Sequence, residues 1–190
     1  MKRSATALAL AMILTGCAKY SLVKPQRTAI GNLYTVEPQI AWNSESGAKK
    51  VEIWTVDGPR LERIHFVKGL EDDEVLFEGK DEEKRPKFRK HMTPSEIMEF
   101  VIDSMTLVGL QKIEVTNLRP EKFGNVRGFR FEMGFLSEKG LEEQGFVIGA
   151  VVEEKLYLIM YSGAKKYYYP KHKDHVDRII ESIKMQGSEA

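Results

Sequence analysis

Two neighbouring runs in the last third of the chain are apolar on both of their faces, and they constrain the fold more than any other feature. They are GFVIGAVV, residues 145–152, and LYLIMY, residues 156–161, and the polar turn Glu153-Glu154-Lys155 separates them. Strands of this kind belong in the middle of a sheet that is covered on both sides. The two runs therefore predict a central hairpin with packing layers above and below it.

Other segments alternate between apolar and polar residues, which is typical of strands with one face in the core. The run at 51–56 alternates, is interrupted by Asp57-Gly58-Pro59 and resumes at 64–66, which predicts a hairpin. In residues 126–135, large apolar side chains share one face and charged residues occupy the other. The apolar members are Phe129, Phe131, Met133 and Phe135.

Two helices are predicted to cover the sheet. The first begins at TPSE, where Thr93 is placed as the N-cap, Pro94 suits the first helical position and Glu96 completes a capping box. Gly109 is the expected stop of this helix. The second helix is predicted to follow Pro170. Its apolar stripe consists of Val176, Ile179, Ile180 and Ile183.

The order of elements is strands, helix, strands, helix. It predicts one α+β domain in which a mostly antiparallel β-sheet is covered by two main helices, in an α/β/α sandwich-like arrangement. This order, with the aromatic strand at 129–135, the hairpin at 146–162 and the terminal helix ending in Ile180-Glu181-Ser182-Ile183, resembles the PsbP-like α/β/α sandwich. The resemblance implies a non-enzymatic domain that binds or assembles other proteins.

The single cysteine of the chain lies at the end of a signal-like segment. Met-Lys-Arg begins the chain, and an almost unbroken run of apolar or small residues extends from Ala5 to Leu14, which is too short to span a bilayer. The run leads into LTGC, which resembles the lipobox of bacterial lipoproteins. The resemblance implies cleavage before Cys17, a lipid on its thiol and an acylated amino terminus. The alternative is a leftover thiol after an accidental apolar stretch.

These features predict four segments: a lipoprotein signal peptide at 1–16, a lipidated amino terminus and flexible tether at 17–33, one α+β domain at 34–186 and a disordered tail at 187–190. Ala18, and not aspartate, follows the cysteine. In Gram-negative lipoproteins this resembles the pattern sent to the outer membrane, where the protein would face the periplasm. A Gram-positive host would leave it on its only membrane.

The charge balance argues against a nucleic-acid partner. The chain has 29 lysines and arginines and 28 aspartates and glutamates, with both signs interleaved. A nucleic-acid surface normally shows as a basic stripe, and none is evident in the sequence. The expected partners are a membrane, through the lipid, and another envelope protein.

Few residues in the sequence suggest a catalytic or metal-binding site. His172 and His175 lie three apart on the second predicted helix, near two aspartates, and could ligate a metal. Both lean toward the edge of the apolar stripe, which favours packing, and no third ligand is evident. We therefore expect no metal and no cofactor apart from the lipid on Cys17. The acidic stretches 71–74 and 81–83 lack the spacing of a calcium loop and are expected to be solvated.

Three consecutive tyrosines, Tyr167, Tyr168 and Tyr169, lie in the lysine-flanked run KKYYYPKHK. Such residues suit a contact with a partner or with the headgroup zone of a membrane. Alternatively, the tyrosines close the end of the core while the lysines are solvated.

The sequence contains no nucleophile elbow, phosphate-binding loop or zinc-protease motif. It predicts a membrane-anchored bacterial envelope lipoprotein that binds or supports another envelope component and is not an enzyme. One alternative is a periplasmic lipoprotein that binds a soluble ligand or a metal, and a weaker one is a hydrolase. Convergent polar groups in a pocket would favour the first, and a nucleophile beside a base in a cleft would favour the second.

Overall fold

An eight-stranded antiparallel sheet forms the middle layer of the protein in a computed structural model that describes residues 20–45, 50–78 and 83–186. Its order is β1-β4-β5-β6-β10-β9-β8-β7, and a second sheet has the order β11-β3-β2. In chain order the elements are β1 (Tyr20–Val23), β2 (Thr28–Ile30), β3 (Tyr34–Val36), β4 (Trp42–Glu45), β5 (Val51–Thr55), β6 (Glu62–Leu70), α1 (Pro94–Leu107), β7 (Gln111–Phe123), β8 (Val126–Leu136), β9 (Glu142–Val152), β10 (Lys155–Ala164), α2 (Tyr168–Glu181) and β11 (Lys184–Met185).

The central hairpin is covered on both faces. β9 and β10 pair in the middle of the large sheet, and successive residues of β10 point into different layers. Ile159 and Tyr161 pack on the side of α2 and the small sheet, whereas Leu158 and Met160 pack on the side of α1. The predicted fold class, a mostly antiparallel sheet covered by two helices in one domain, is confirmed.

The local patterns are also confirmed, apart from the bounds of the second helix, which ends at Glu181, so that Ile183 is buried just beyond its end. The hydroxyl of Thr93 accepts a hydrogen bond from the Glu96 N–H, and the Glu96 carboxylate accepts one from the Thr93 N–H, so α1 begins with the predicted capping box. α2 begins at Tyr168, before Pro170 and not after it. Proline is tolerated there because the first four N–H groups of a helix have no partner within the helix.

The predicted start of the domain at residue 34 is wrong. Residues 20–33 are not a tether, because β1 pairs with β4 at the edge of the large sheet and β2 pairs with β3. Val23 and Ile30 are buried in the core on the α2 side. The two strands have four and three residues, which is too short for a periodic pattern to reveal them.

The predicted signal peptide at 1–16, the lipid attachment at Cys17 and the tail at 187–190 lie outside the described residues. Within the described ranges, no helix has both the length and the apolar character needed to cross a membrane.

Gly128 lies on β8 where the backbone of β9 passes too close for a side chain. A Cβ atom at this position would clash with the carbonyl oxygen of Gly149, which is backbone and cannot move aside cheaply. Gly134, on the same strand, has room, since its nearest neighbour would be the Glu143 carbonyl oxygen at 3.9 Å. The two glycines therefore provide a matched pair for testing how closely the strands pack.

We expect Gly128→Ala to lower the free energy of unfolding by about 1–3 kcal/mol, because the added methyl group forces β8 and β9 apart. Gly134→Ala should change it by less than about 0.5 kcal/mol. Urea unfolding of both variants measures the difference. Equal losses in the two variants would contradict the close approach of β8 and β9 at Gly128.

Candidate functional site

Buried polar side chains concentrate where the turn between β5 and β6 meets the first turns of α2. Asp57, Glu62 and His172 each place a carboxylate oxygen or a ring nitrogen within 4.8 Å of the others. Glu62 is fully buried, His172 is 4% exposed and Asp57 lies at the surface. Asp57 and His172 are 115 residues apart in the sequence, so only the fold brings them together.

Glu62 holds the turn between β5 and β6 from the inside. Its Oε1 atom accepts hydrogen bonds from the Thr55 hydroxyl at 2.8 Å and from the backbone N–H groups of Val56 and Asp57 at 2.6 and 2.7 Å. Its Oε2 atom is buried and has no hydrogen-bond partner in the described part of the chain. Burial raises the pKa of the Glu62 carboxyl, and the hydrogen bonds to Oε1 oppose that rise.

Asp57 joins this turn to α2. Its Oδ2 atom lies 2.7 Å from both the Lys171 ammonium and Nε2 of His172. The hydrogen bonds from Lys171 and then His172 lower the pKa of Asp57, and the bond to Asp57 raises the pKa of Lys171. The imidazole ring of His172 lies 6.0 Å from the ring of Trp42, which is fully buried. The cluster is therefore packed against the core on one side and open to solvent at Asp57.

Of the two predicted histidine candidates, the cluster includes His172 but not His175. The two imidazole rings lie 6.3 Å apart. Asp177, which with Asp174 is one of the two aspartates near these histidines in the sequence, instead forms ion pairs with Arg130 and Lys173. Helical spacing identified one member of the cluster and suggested the wrong companions, because the carboxylates come from a distant turn.

The sequence also carries a signal for Glu62, which is not among the candidates named above. Alternation along β6 places Glu62 on the same face as Ile64 and Phe66, both of which are fully buried. A charged residue on an apolar face predicts a buried carboxylate with internal partners. Asp57 carried no comparable signal, because Asp-Gly-Pro is an ordinary turn sequence.

The three tyrosines that were predicted to form a contact separate in the structure. Tyr167 is 61% exposed, Tyr168 is half-buried and Tyr169 is 7% exposed. The ring of Tyr169 stacks on that of Tyr161 at 5.3 Å, and its carbonyl oxygen accepts a hydrogen bond from the Tyr161 hydroxyl. Tyr169 therefore closes the end of the core, as the second of the two alternatives proposes, while Tyr167 and Tyr168 stay accessible.

Tyr167, Tyr168, Lys165, Lys166 and Lys171 form an accessible patch at the start of α2, here called the tyrosine-lysine surface. The two tyrosine rings meet edge to face at 5.0 Å, and the Lys171 ammonium lies 5.7 Å from each of them. The same ammonium binds the carboxylate of the β5–β6 turn. Lys171 therefore belongs both to the buried cluster and to the tyrosine-lysine surface.

A hollow of about 530 Å³ lies on the other face of the sheet, beside β5 and β6. Its lining is mainly apolar and includes Val51, Ile53 and Phe77, with His65 among them. Burial lowers the pKa of His65 to about 3, so the ring is neutral at physiological pH. The charged residues at its rim form the ion pairs Lys50–Glu74, Asp73–Lys87 and Glu78–Arg85. The hollow offers apolar walls more than the convergent polar groups that orient a soluble ligand.

The stability of the protein is expected to depend on pH through Glu62. A carboxyl whose pKa is higher in the folded protein than its ordinary value of 4.5 contributes stability that is fully present below 4.5 and is lost as the pH rises through the folded pKa. Glu62→Gln keeps an acceptor for Thr55 and the turn but does not titrate. The free energy of unfolding of the wild type minus that of Glu62→Gln should therefore fall as the pH rises above about 4.5.

Urea unfolding at a series of pH values measures this difference. Glu143→Gln, which changes a buried carboxylate that pairs with Arg63, is the matched control. The same trend in both variants would show that Glu62 is not the source.

Comparisons with known proteins agree with the fold. No protein-family model matches the sequence, and no curated protein matches it. Among solved structures, this one is similar to cyanobacterial PsbP (CyanoP) from Synechocystis sp. PCC 6803, with a TM-score of 0.55 and 13% sequence identity, covering 90% of this chain and 95% of that chain. It is also similar to LpqN, described as involved in cell envelope biogenesis of Mycobacterium tuberculosis, with a TM-score of 0.40 and 6% identity, covering 90% of this chain and 87% of that one. The likeness to CyanoP shows that the chain has the PsbP-like fold which its sequence predicts.

Proposed function

We propose that this chain is an exported lipoprotein, anchored to a membrane by lipid on Cys17, and that its folded domain is a non-enzymatic module that binds another envelope protein. The signal-like residues 1–16 and the lipobox support the anchor. The tyrosine-lysine surface supports the binding role, because exposed tyrosines are enriched where proteins contact each other. In a Gram-negative host, Ala18 after the cysteine favours the outer membrane, with the domain in the periplasm.

The direction of β1 favours a protein partner, and not a second membrane contact, for the tyrosine-lysine surface. Two residues separate Cys17 from Tyr20, the first residue of β1, and three residue steps reach about 10 Å. β1 runs from the level of Glu45 to the level of Trp42, which lies beside His172 of α2. The strand therefore runs toward the end of the sheet where α2 begins, and its anchored start points away from that end.

With Cys17 held in a membrane, the tyrosine-lysine surface is directed away from the lipid and toward other envelope components. Lys165 and Lys166 are exposed, and Tyr167 projects beside them. A complementary partner surface would carry acidic groups around a recess for the Tyr167 ring.

Replacement of Cys17 by alanine is expected to abolish anchoring through lipid. The wild-type protein should fractionate with membranes at an intact mass that lacks residues 1–16 and includes acyl groups, whereas Cys17→Ala should retain its signal peptide or become soluble. Thr15→Ser, which keeps a small residue inside the lipobox, is the control and should be processed like the wild type. Identical masses and fractionation for wild type and Cys17→Ala would contradict the proposed anchor.

A photoreactive amino acid at position 167 is expected to cross-link the domain to a discrete envelope protein in living cells. The same probe at position 122, an exposed residue at the opposite end of the sheet, is the control and should give no such product. The double variant Lys165→Glu and Lys166→Glu should abolish the cross-link, since it reverses the charge beside Tyr167. Equal products from both positions, or a product that survives charge reversal, would contradict the assignment to this surface.

A further inference from the structure

We propose that Asp57, Glu62 and His172 form a binding site for a divalent transition-metal ion of the Zn²⁺ class, and that Lys171 competes with this ion for Asp57. The site does not depend on the proposed function, because its residues lie wholly within the folded domain.

The set of donor atoms is one that zinc accepts. Imidazole nitrogen together with carboxylate oxygen is a common zinc environment, and three protein ligands leave a fourth position for water. The three donors already lie within 4.8 Å of one another, so small rotations bring them to a common centre. Ca²⁺ and Mg²⁺ fit less well, because they require six or more ligands that are mainly oxygen.

The free oxygen of Glu62 is an independent indication of a ligand. Oε2 is fully buried and has no hydrogen-bond partner in the described part of the chain, although a buried unpaired carboxylate oxygen is costly. The other oxygen is held by three donors in the β5–β6 turn, which fixes the direction of Oε2. Such fixed outer contacts are what orient metal ligands in proteins. A bound cation would supply the missing partner.

Lys171 already places a positive charge beside the cluster. Its ammonium lies 2.7 Å from Oδ2 of Asp57, the same atom that contacts His172. The Lys171 side chain is 37% exposed, so it can move into solvent when a metal ion takes the carboxylate. Competition of this kind predicts that removal of the lysine charge strengthens metal binding.

The test is calorimetric titration of full-length protein in detergent with Zn²⁺ alone, after treatment with a chelator. We expect one ion per chain, and at least a tenfold loss of affinity in Glu62→Gln and in His172→Gln. His175→Gln, a histidine substitution on the same helix outside the cluster, is the matched control and should bind like the wild type. Titration with Co²⁺, whose visible absorption reports its ligands, should show a spectrum that is lost in the same two variants.

Lys171→Met keeps the proposal testable if the two core variants fail to fold, because Lys171 is at the surface. This variant should bind Zn²⁺ roughly threefold more tightly than the wild type, since the competing charge is gone. Absence of Zn²⁺ binding by the wild type would overturn the proposal. So would equal affinity in folded Glu62→Gln and His172→Gln, or, if neither folds, unchanged affinity in Lys171→Met; the cluster would then be a hydrogen-bond network alone.

Discussion

Burial of both faces of β9 and β10 is the constraint on which the rest of the structure depends. Each face exposes a row of apolar side chains, so each needs its own covering layer. α1 supplies one layer, and α2 with the β11-β3-β2 sheet supplies the other. Because α2 follows β10 after three residues, its first turn has to lie at the end of the sheet where β10 finishes. The turn between β5 and β6 lies at the same end, so the topology creates the meeting point of Asp57 and His172.

The meeting point contains a buried ionisable carboxyl, that of Glu62, which is unusual for a protein core. Glu62 lies on the inward face of β6, and its desolvation is offset in part by three hydrogen bonds to one oxygen. Buried charged groups are weak evidence for stability, since apolar residues of similar volume often stabilise a protein as well or better. The proposed metal ion would give Oε2 of Glu62 the partner that it lacks among the described residues. Lys171 contacts both Asp57 and the rings of Tyr167 and Tyr168, so it joins this cluster to the tyrosine-lysine surface.

Several elements could be predicted from local sequence because local sequence determines them. The capping box at Thr93 and Glu96 involves atoms within one helical turn, and the alternation of Phe129 to Phe135 reflects one face of one strand. β1 and β2 could not be predicted in this way. They have too few residues to show a period, and they are strands because the edge of the large sheet and β3 offer them hydrogen-bond partners. The start of α2 before Pro170 likewise reflects the packing of Tyr169 on Tyr161.

By itself, the sequence determined the fold class, the coarse order of strands, helix, strands and helix, the two-faced central hairpin and a single cysteine in a lipobox-like setting. The tertiary structure alone decided which side chains meet: it joined Asp57 to His172 and Lys171, placed Glu62 beneath them and divided the tyrosines between core and surface. The physical reason is the range of the interactions. Periodicity, capping and turn formation act over a few residues and leave a pattern in the chain. A carboxylate and an imidazole 115 positions apart leave no such pattern until the sheet and α2 bring them within 2.7 Å.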